Sequence, residues 1–268
     1  MICVDSHPLS LYSDNPLSPG DFPDPGRTRG GAKFSVMEKS FIWFDLGYTL
    51  LYLNREEPFL QTLREFDLDA DPHEVERVFH LADKTFMREY PGLFGEDRRH
   101  YMPWYFGVIQ YHLGLRFDLC RFFQRWQQLV GTQTDSWFPY PFTVDVLEDL
   151  NKKGYRMGVI SNWDNSARKI LKKHRLDRFF EHIIISSEVG SEKPDVRIFQ
   201  KAMQAASADP GECIYVGDNY YDDAVGSRKV GMETIIINRY GELGIEELEN
   251  CSVICDIREL DEILNGRG

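Results

Sequence analysis

From Lys39 onward the chain shows two hydrophobic textures. In one, short runs rich in β-branched and aromatic residues end in polar or glycine positions and give way to apolar residues at helical spacing. These runs are Phe41–Gly47, Arg156–Asn162, His182–Ser187, Glu212–Asp218 and Met232–Asn238. The helical patterns include Val144–Lys153, Asn165–His174, Val196–Ala206 and Asp222–Val230. Strand alternating with helix predicts right-handed βαβ units and an α/β fold, a parallel sheet with helices on both faces. The second texture, residues 55–138, contains no convincing strand. It carries amphipathic patterns over Pro58–Phe66, Asp71–Tyr90, Arg98–Leu115 and Asp118–Val130, which predict an inserted all-helical cap domain. The core domain is then 39–54 together with 139–268. An insertion leaving the carboxyl end of the first strand stands over the usual ligand crevice of an open α/β sheet.

The first residues differ from the rest. Residues 1–36 hold five Pro, five Ser and four Gly without helical or strand period, so 1–38 is expected to be a disordered N-terminal tail. Met37 directly precedes the first strand, and a translation start there would remove that tail. The chain has 268 residues and a formal charge of −12, which argues against nucleic acid or an anionic membrane as a partner. No apolar run approaches the length of a membrane span, and no basic start followed by an apolar stretch suggests secretion. Five thinly spread cysteines suit a reducing compartment. Cys251 and Cys255 lie four apart with no second Cys or His pair nearby, which does not make a zinc site. The expectation is a cytoplasmic monomer or small homo-oligomer.

Candidate chemistry sits where the strands end. Asp45-Leu-Gly-Tyr-Thr49 follows the first run and Ser161-Asn162 closes the second. Lys193-Pro194-Asp195 comes after the third, and Gly217-Asp218-Asn219-Tyr-Tyr-Asp222-Asp223 closes the fourth. In a parallel sheet these ends share one edge, so residues far apart in sequence converge. Each cluster alone has a plainer reading. A strand-terminal Asp often caps the next helix, Pro194 suits a first helical turn, and Asp218, Asp222 and Asp223 would favour a helix start by about 0.3–1 kcal/mol. Asn162 is more often a structural cap than a ligand. All four clusters in this order point to a site.

On these residues the chain resembles the haloacid dehalogenase superfamily, in its helical-cap branch of phosphatases, over essentially all of 39–268. The stretches that carry the resemblance are Phe44–Leu50, Val159–Asp164, Ser187–Phe199 and Val216–Gly226, and the family's loosely characterised "haloacid dehalogenase-like hydrolase domain-containing" proteins look most similar. The resemblance implies a Rossmann-like sheet under a mobile cap and a Mg²⁺-dependent phosphatase acting on a small phosphorylated metabolite. It implies that Asp45 is the nucleophile and forms an aspartyl-phosphate. Mg²⁺ would be held by Asp45, the Gly47 backbone carbonyl, Asp218 and either Asp222 or Asp223, with Asp223 preferred. Ser161 and Thr49 would bind phosphoryl oxygens, with Asn162 beside them, and a helix starting near Asp164 would add its N-terminal dipole. Lys193 would stabilise the transition-state anion.

One position departs from that pattern. Most phosphatases of this family carry a second Asp two residues after the nucleophile, as general acid and base, and here that position is Gly47. Such catalysis is worth about 10²–10⁴-fold, so slow turnover is expected. Tyr48, Glu56 and Glu57 are candidate replacements. The alternatives are a weakly active or inactive relative that binds a phosphorylated ligand, and a 2-haloacid dehalogenase. The second is disfavoured because Asp218 and Asp223 are kept and no aromatic stands at 47. A dense aromatic set between Phe79 and Trp126 is expected to be mostly cap core, and Arg98-Arg99-His100 a solvated turn.

Overall fold

The computed structural model describes residues 39–131, 136–248 and 251–265, so the predicted tail lies outside the described residues. Strands β1 (Phe41–Phe44), β4 (Arg156–Ser161), β5 (His182–Ile185), β6 (Cys213–Gly217), β7 (Glu233–Ile237) and β8 (Ser252–Ile254) form one parallel sheet. Its order is β5-β4-β1-β6-β7-β8. The central strand explains why a near-continuous apolar run is needed. All four β1 side chains are fully buried, and the period of two sends them to opposite faces. Ile42 and Phe44 pack with Val159, Ile214 and Val216, whereas Phe41 and Trp43 pack with Ile160, Tyr215 and Phe199 of the helix Val196–Ala206. Trp43 also accounts for Gly158 on the neighbouring strand, since a Cβ there would come within 2.4 Å of its ring.

The first strand stops three residues before its predicted end. Asp45 N–H still donates to the Val216 carbonyl at 2.9 Å, but the chain then turns. The Leu46 carbonyl accepts from both Leu50 and Leu51 N–H, and Tyr48 takes a left-handed φ of 51°. The turn leads into β2 (Leu51–Leu53), which pairs antiparallel with β3 (Trp137–Pro139). This corrects the reading of 55–138 as free of strand, because three residues facing a remote partner carry no legible period. β8 was missed for the same reason. The predicted helix Asp222–Val230 begins instead as a wide π turn over Tyr220–Ala224 and becomes α-helical only at Val225–Lys229.

Among the described residues between β2 and β3 stand four α-helices, α1 (Glu56–Glu65), α2 (Pro72–Glu89), α3 (Arg98–His112) and α4 (Leu119–Val130). Asp71, Asp97 and Asp118 cap the last three by accepting backbone N–H groups of the first turn. Their shared core is the expected aromatic cluster, with Phe59, Phe79, Phe86, Tyr105, Phe106, Phe122 and Trp126 buried. Tyr90, Phe94, Trp104 and Tyr111 are the exposed members of the set, which is otherwise core as expected. Arg99 pairs with Asp97 at the start of α3, as a solvated turn would. Among the described residues no helix is long and apolar enough to cross a membrane.

Candidate active site

The sheet brings three of the strand-end clusters to one buried point. The Asp45, Asp218 and Asp223 carboxylates each offer an oxygen within 4.8 Å of the others, and all three residues are buried. Asp45 sits just past β1 and Asp218 just past β6, the two central strands, whose register pairs Phe44 with Val216. Asp223 reaches back from the π turn, where its backbone N–H bonds the Asn219 carbonyl at 2.7 Å. A Cβ on Gly217 would lie 2.1 Å from an Asp223 oxygen, so only glycine lets that carboxylate in so close.

Lys193 joins the same point from the loop after β5. Its Nζ donates to Asp45 Oδ1 at 2.7 Å, Asp223 Oδ1 at 2.6 Å and the Tyr215 hydroxyl oxygen at 2.9 Å. Burial opposes its charge, but Asp223 and then Asp45 hold the ammonium well above the ordinary lysine range. The loop itself is fixed by Asn162. That side-chain amide donates to the Lys193 carbonyl at 2.9 Å and accepts the Lys193 N–H at 2.7 Å. Asn162 was read as a substrate-binding candidate; the geometry occupies both ends of its amide with positioning Lys193. Ser161, the last residue of β4, is buried at the same sheet edge.

Asp222 stays outside the carboxylate trio. It is half-buried, one oxygen takes the Asn219 amide at 2.8 Å and the other has no protein partner. Between the two acidic candidates at the π turn, the geometry therefore favours Asp223. Counting Asp222, four carboxylates share this region with two ammonium groups, Lys193 and Lys84. Burial pushes Asp218 up to about 7, with Lys84 opposing, and burial likewise pushes Asp222 up to about 7, with Lys193 opposing. Hard oxygen ligands with a charge deficit suit a divalent cation of the Mg²⁺ type. The chemistry of the donor set fits the expected metal.

Beside Asp218, between the sheet and the helices, lies a cavity of about 450 Å³. Tyr48, Thr49, Arg55, Glu56 and Lys84 help to line it. The Thr49 hydroxyl is buried without a protein partner, so a donor is free on the cavity side of the site. Gly47 has room around it, because a Cβ would meet the Trp137 and Trp163 rings at 3.5 Å, an ordinary contact. Of the three candidate proton donors, Tyr48 has its phenol raised well above the ordinary range by burial, with Arg55 opposing. Glu56 lines the cavity but is bound to the Arg55 Nε at 3.2 Å. Glu57 does not reach the site; it faces Arg64 on the surface.

Two elements of the site were not foreseen. Arg55 is buried over the Tyr48 and Phe79 rings and pairs with Asp83, whose carboxylate also accepts from the Tyr105 hydroxyl at 2.7 Å. Lys84, nearly fully buried on α2, donates to the Asp218 carbonyl at 2.7 Å and lies 3.5 Å from Asp218 Oδ2. The available signal was a lysine interrupting the apolar face between Val78, Phe79, Ala82 and Phe86.

A parallel α/β sheet with a buried acidic pocket at its carboxyl edge and helices inserted after β1 defines a class of capped hydrolases. A profile of the haloacid dehalogenase-like hydrolase family matches residues 42–237, and the chain belongs to that family. It is similar to the glyceraldehyde 3-phosphate phosphatase of Methanothermobacter thermautotrophicus, with 31% identity covering 88% of this chain and 93% of that protein. It is also similar to the human haloacid dehalogenase-like hydrolase domain-containing protein 3, at 28% identity covering 72% and 80%. Among solved structures, the HAD phosphatase of Thermococcus onnurineus superposes with a TM-score of 0.52 at 25% identity, covering 85% of this chain and 98% of that one. The chain is a hydrolase, and the resemblance drawn from its strand-end clusters is borne out.

Proposed function

We propose that this chain is a Mg²⁺-dependent phosphomonoesterase that passes the phosphoryl group of a small phosphorylated metabolite first to Asp45 and then to water. Its phosphatase character rests on the family and on relatives named for that activity. The observation that carries the mechanism is Asp45, Asp218 and Asp223 converging within 4.8 Å beside the Lys193 ammonium. Lys193 donates to Asp45 Oδ1 and orients that carboxylate, as a nucleophile attacking phosphorus in line requires. In the first step a bond forms between an Asp45 oxygen and phosphorus, the bond from phosphorus to the leaving oxygen breaks, and that oxygen takes up a proton. In the second, water displaces Asp45 and releases phosphate. The Thr49 hydroxyl and Ser161 are donors for the phosphoryl oxygens. Mg²⁺ held by the Asp45, Asp218 and Asp223 carboxylates and the Gly47 carbonyl would screen the substrate dianion from the attacking carboxylate.

Glyceraldehyde 3-phosphate is the first substrate to test, because three of the relatives are named for it. The experiment is phosphate release from a panel of phosphorylated metabolites with Mg²⁺ and with EDTA, using Asp45→Asn as the blank. The expected result is Mg²⁺-dependent release from at least one alkyl phosphate, abolished in the variant. Mass spectrometry of quenched turnover mixtures should find one phosphoryl group on the peptide containing Asp45. The mechanism is overturned by release that survives Asp45→Asn, or by a phosphoryl group found elsewhere.

A further inference from the structure

Helix α2 carries a polar row at four-residue spacing, Glu76, His80, Lys84 and Arg88, and every member meets the core. Glu76 pairs with Arg239 at 2.6 Å, His80 Nε2 lies 2.9 Å from the Leu243 carbonyl, and Arg88 is 3.6 Å from Glu247. The first, second and fourth of these contacts are made to the segment after β7. Lys84 alone passes through to the carboxylate site, where its Nζ bonds the Asp218 carbonyl at 2.7 Å and approaches Oδ2 at 3.5 Å. It can reach because the helix presses close at Gly244. That residue has a φ of 80°, and a Cβ added to it would sit 3.1 Å from the Lys84 Cβ. Lys193, Asn219 and Tyr215, the other polar neighbours of the trio, all come from the core.

We propose that Lys84 is a positioning residue borne by the cap, which holds Asp218 and supplies a positive charge to the phosphoryl site only while α2 is seated on the segment after β7. The proposal rests on the reading of this site as a metal-dependent phosphatase. Its physical content is a charge that acts with opposite sign on the two ligands. An ammonium 3.5 Å from a metal-binding carboxylate opposes a divalent cation, while the same ammonium on the cavity wall attracts a phosphoryl dianion. Seating the cap therefore strengthens the hold on phosphate at the expense of the hold on Mg²⁺.

The test is calorimetric and needs no turnover. Mg²⁺ is titrated into metal-free protein, and inorganic phosphate into Mg²⁺-loaded protein, for the wild type and Lys84→Met. Methionine nearly matches the lysine stem in size, so the fold should tolerate it. Lys84→Gln is a second variant, neutral but still able to donate to the Asp218 carbonyl. Both variants should bind Mg²⁺ at least threefold tighter and phosphate at least tenfold weaker. A merely structural lesion would weaken both ligands together. The proposal is overturned if both constants stay within twofold of wild type, or if both weaken. Should the wild type bind neither ligand, the phosphatase reading fails first and takes this proposal with it.

Discussion

Restoring a carboxylic acid at position 47 should accelerate this enzyme on alkyl phosphates. The fold permits the change. Gly47 does not need a left-handed backbone, and the nearest groups to a Cβ there would be the Trp137 and Trp163 rings, at 3.5 Å. The surroundings also suit the task. A carboxyl flanked by two indole edges loses water, which raises its pKa and keeps a fraction protonated near neutrality, as a general acid requires. General acid–base catalysis is worth about 10²–10⁴-fold, or roughly 2.7–5.5 kcal/mol of barrier at 1.36 kcal/mol per tenfold. We expect the lower end for Gly47→Asp, about 10²-fold in kcat, because the new side chain has no partner set to orient it. The assay compares an alkyl phosphate with an aryl phosphate whose phenol leaves readily without a proton. The gain should be large for the first and small for the second, and the alkyl rate should acquire a bell-shaped pH dependence. Equal gains on both substrates would refute the proton-transfer argument. So would an unchanged or lower alkyl rate in protein that still binds Mg²⁺ and melts like the wild type.

Two further outcomes test the cap and its attachment. Asp83→Ala leaves the buried Arg55 guanidinium without its main partner, which should cost about 3–5 kcal/mol in chemical denaturation, while Arg55→Met combined with Asp83→Ala should recover most of that. His80 is held below the ordinary histidine range by burial, then by Lys84, with the Leu243 carbonyl opposing. The unfolded chain therefore binds a proton that the fold resists, so stability is full above the unfolded histidine pKa and is lost as pH falls below it. Asp218 and Asp222, raised to about 7, gain stability over the same range in both proteins, so thermal melts from pH 8 down to pH 5 should show the wild type losing stability relative to His80→Gln; parallel curves would remove His80 as a contributor.

What could be read from the chain alone followed physical period and local chemistry. The five strands foreseen are buried on both faces or end in a polar cluster, so both their hydrophobic runs and their carboxyl ends are marked in the residues themselves. Asp45 and Asp218 were legible because each stands at a strand end, and Lys193 and Asp223 because they lie in the polar segments that follow such ends; a parallel sheet gathers strand ends without further instruction. What was not legible depends on a second body placed across the first. Lys84 looks like any lysine on an amphipathic helix, and only the seat of α2 at Gly244 turns it toward Asp218. The partner of Asn162 was hidden for a related reason, since its amide answers to the backbone of a loop thirty-one residues away and not to a local turn. The division has a consequence for how the enzyme is built. The groups proposed to act on phosphorus lie at the carboxyl edge of the sheet, on strand ends and the segments that follow them. The charge proposed to tune the site comes from a helix that meets the segment after β7 through polar contacts, two of them partly exposed ion pairs worth about 1 kcal/mol or less each. On that reading the hold on a dianion is divided between a chemical centre fixed by the core and one buried ammonium borne by the inserted helices, so a change at Lys84 should alter ligand affinity without moving the carboxylates that strand order brings together.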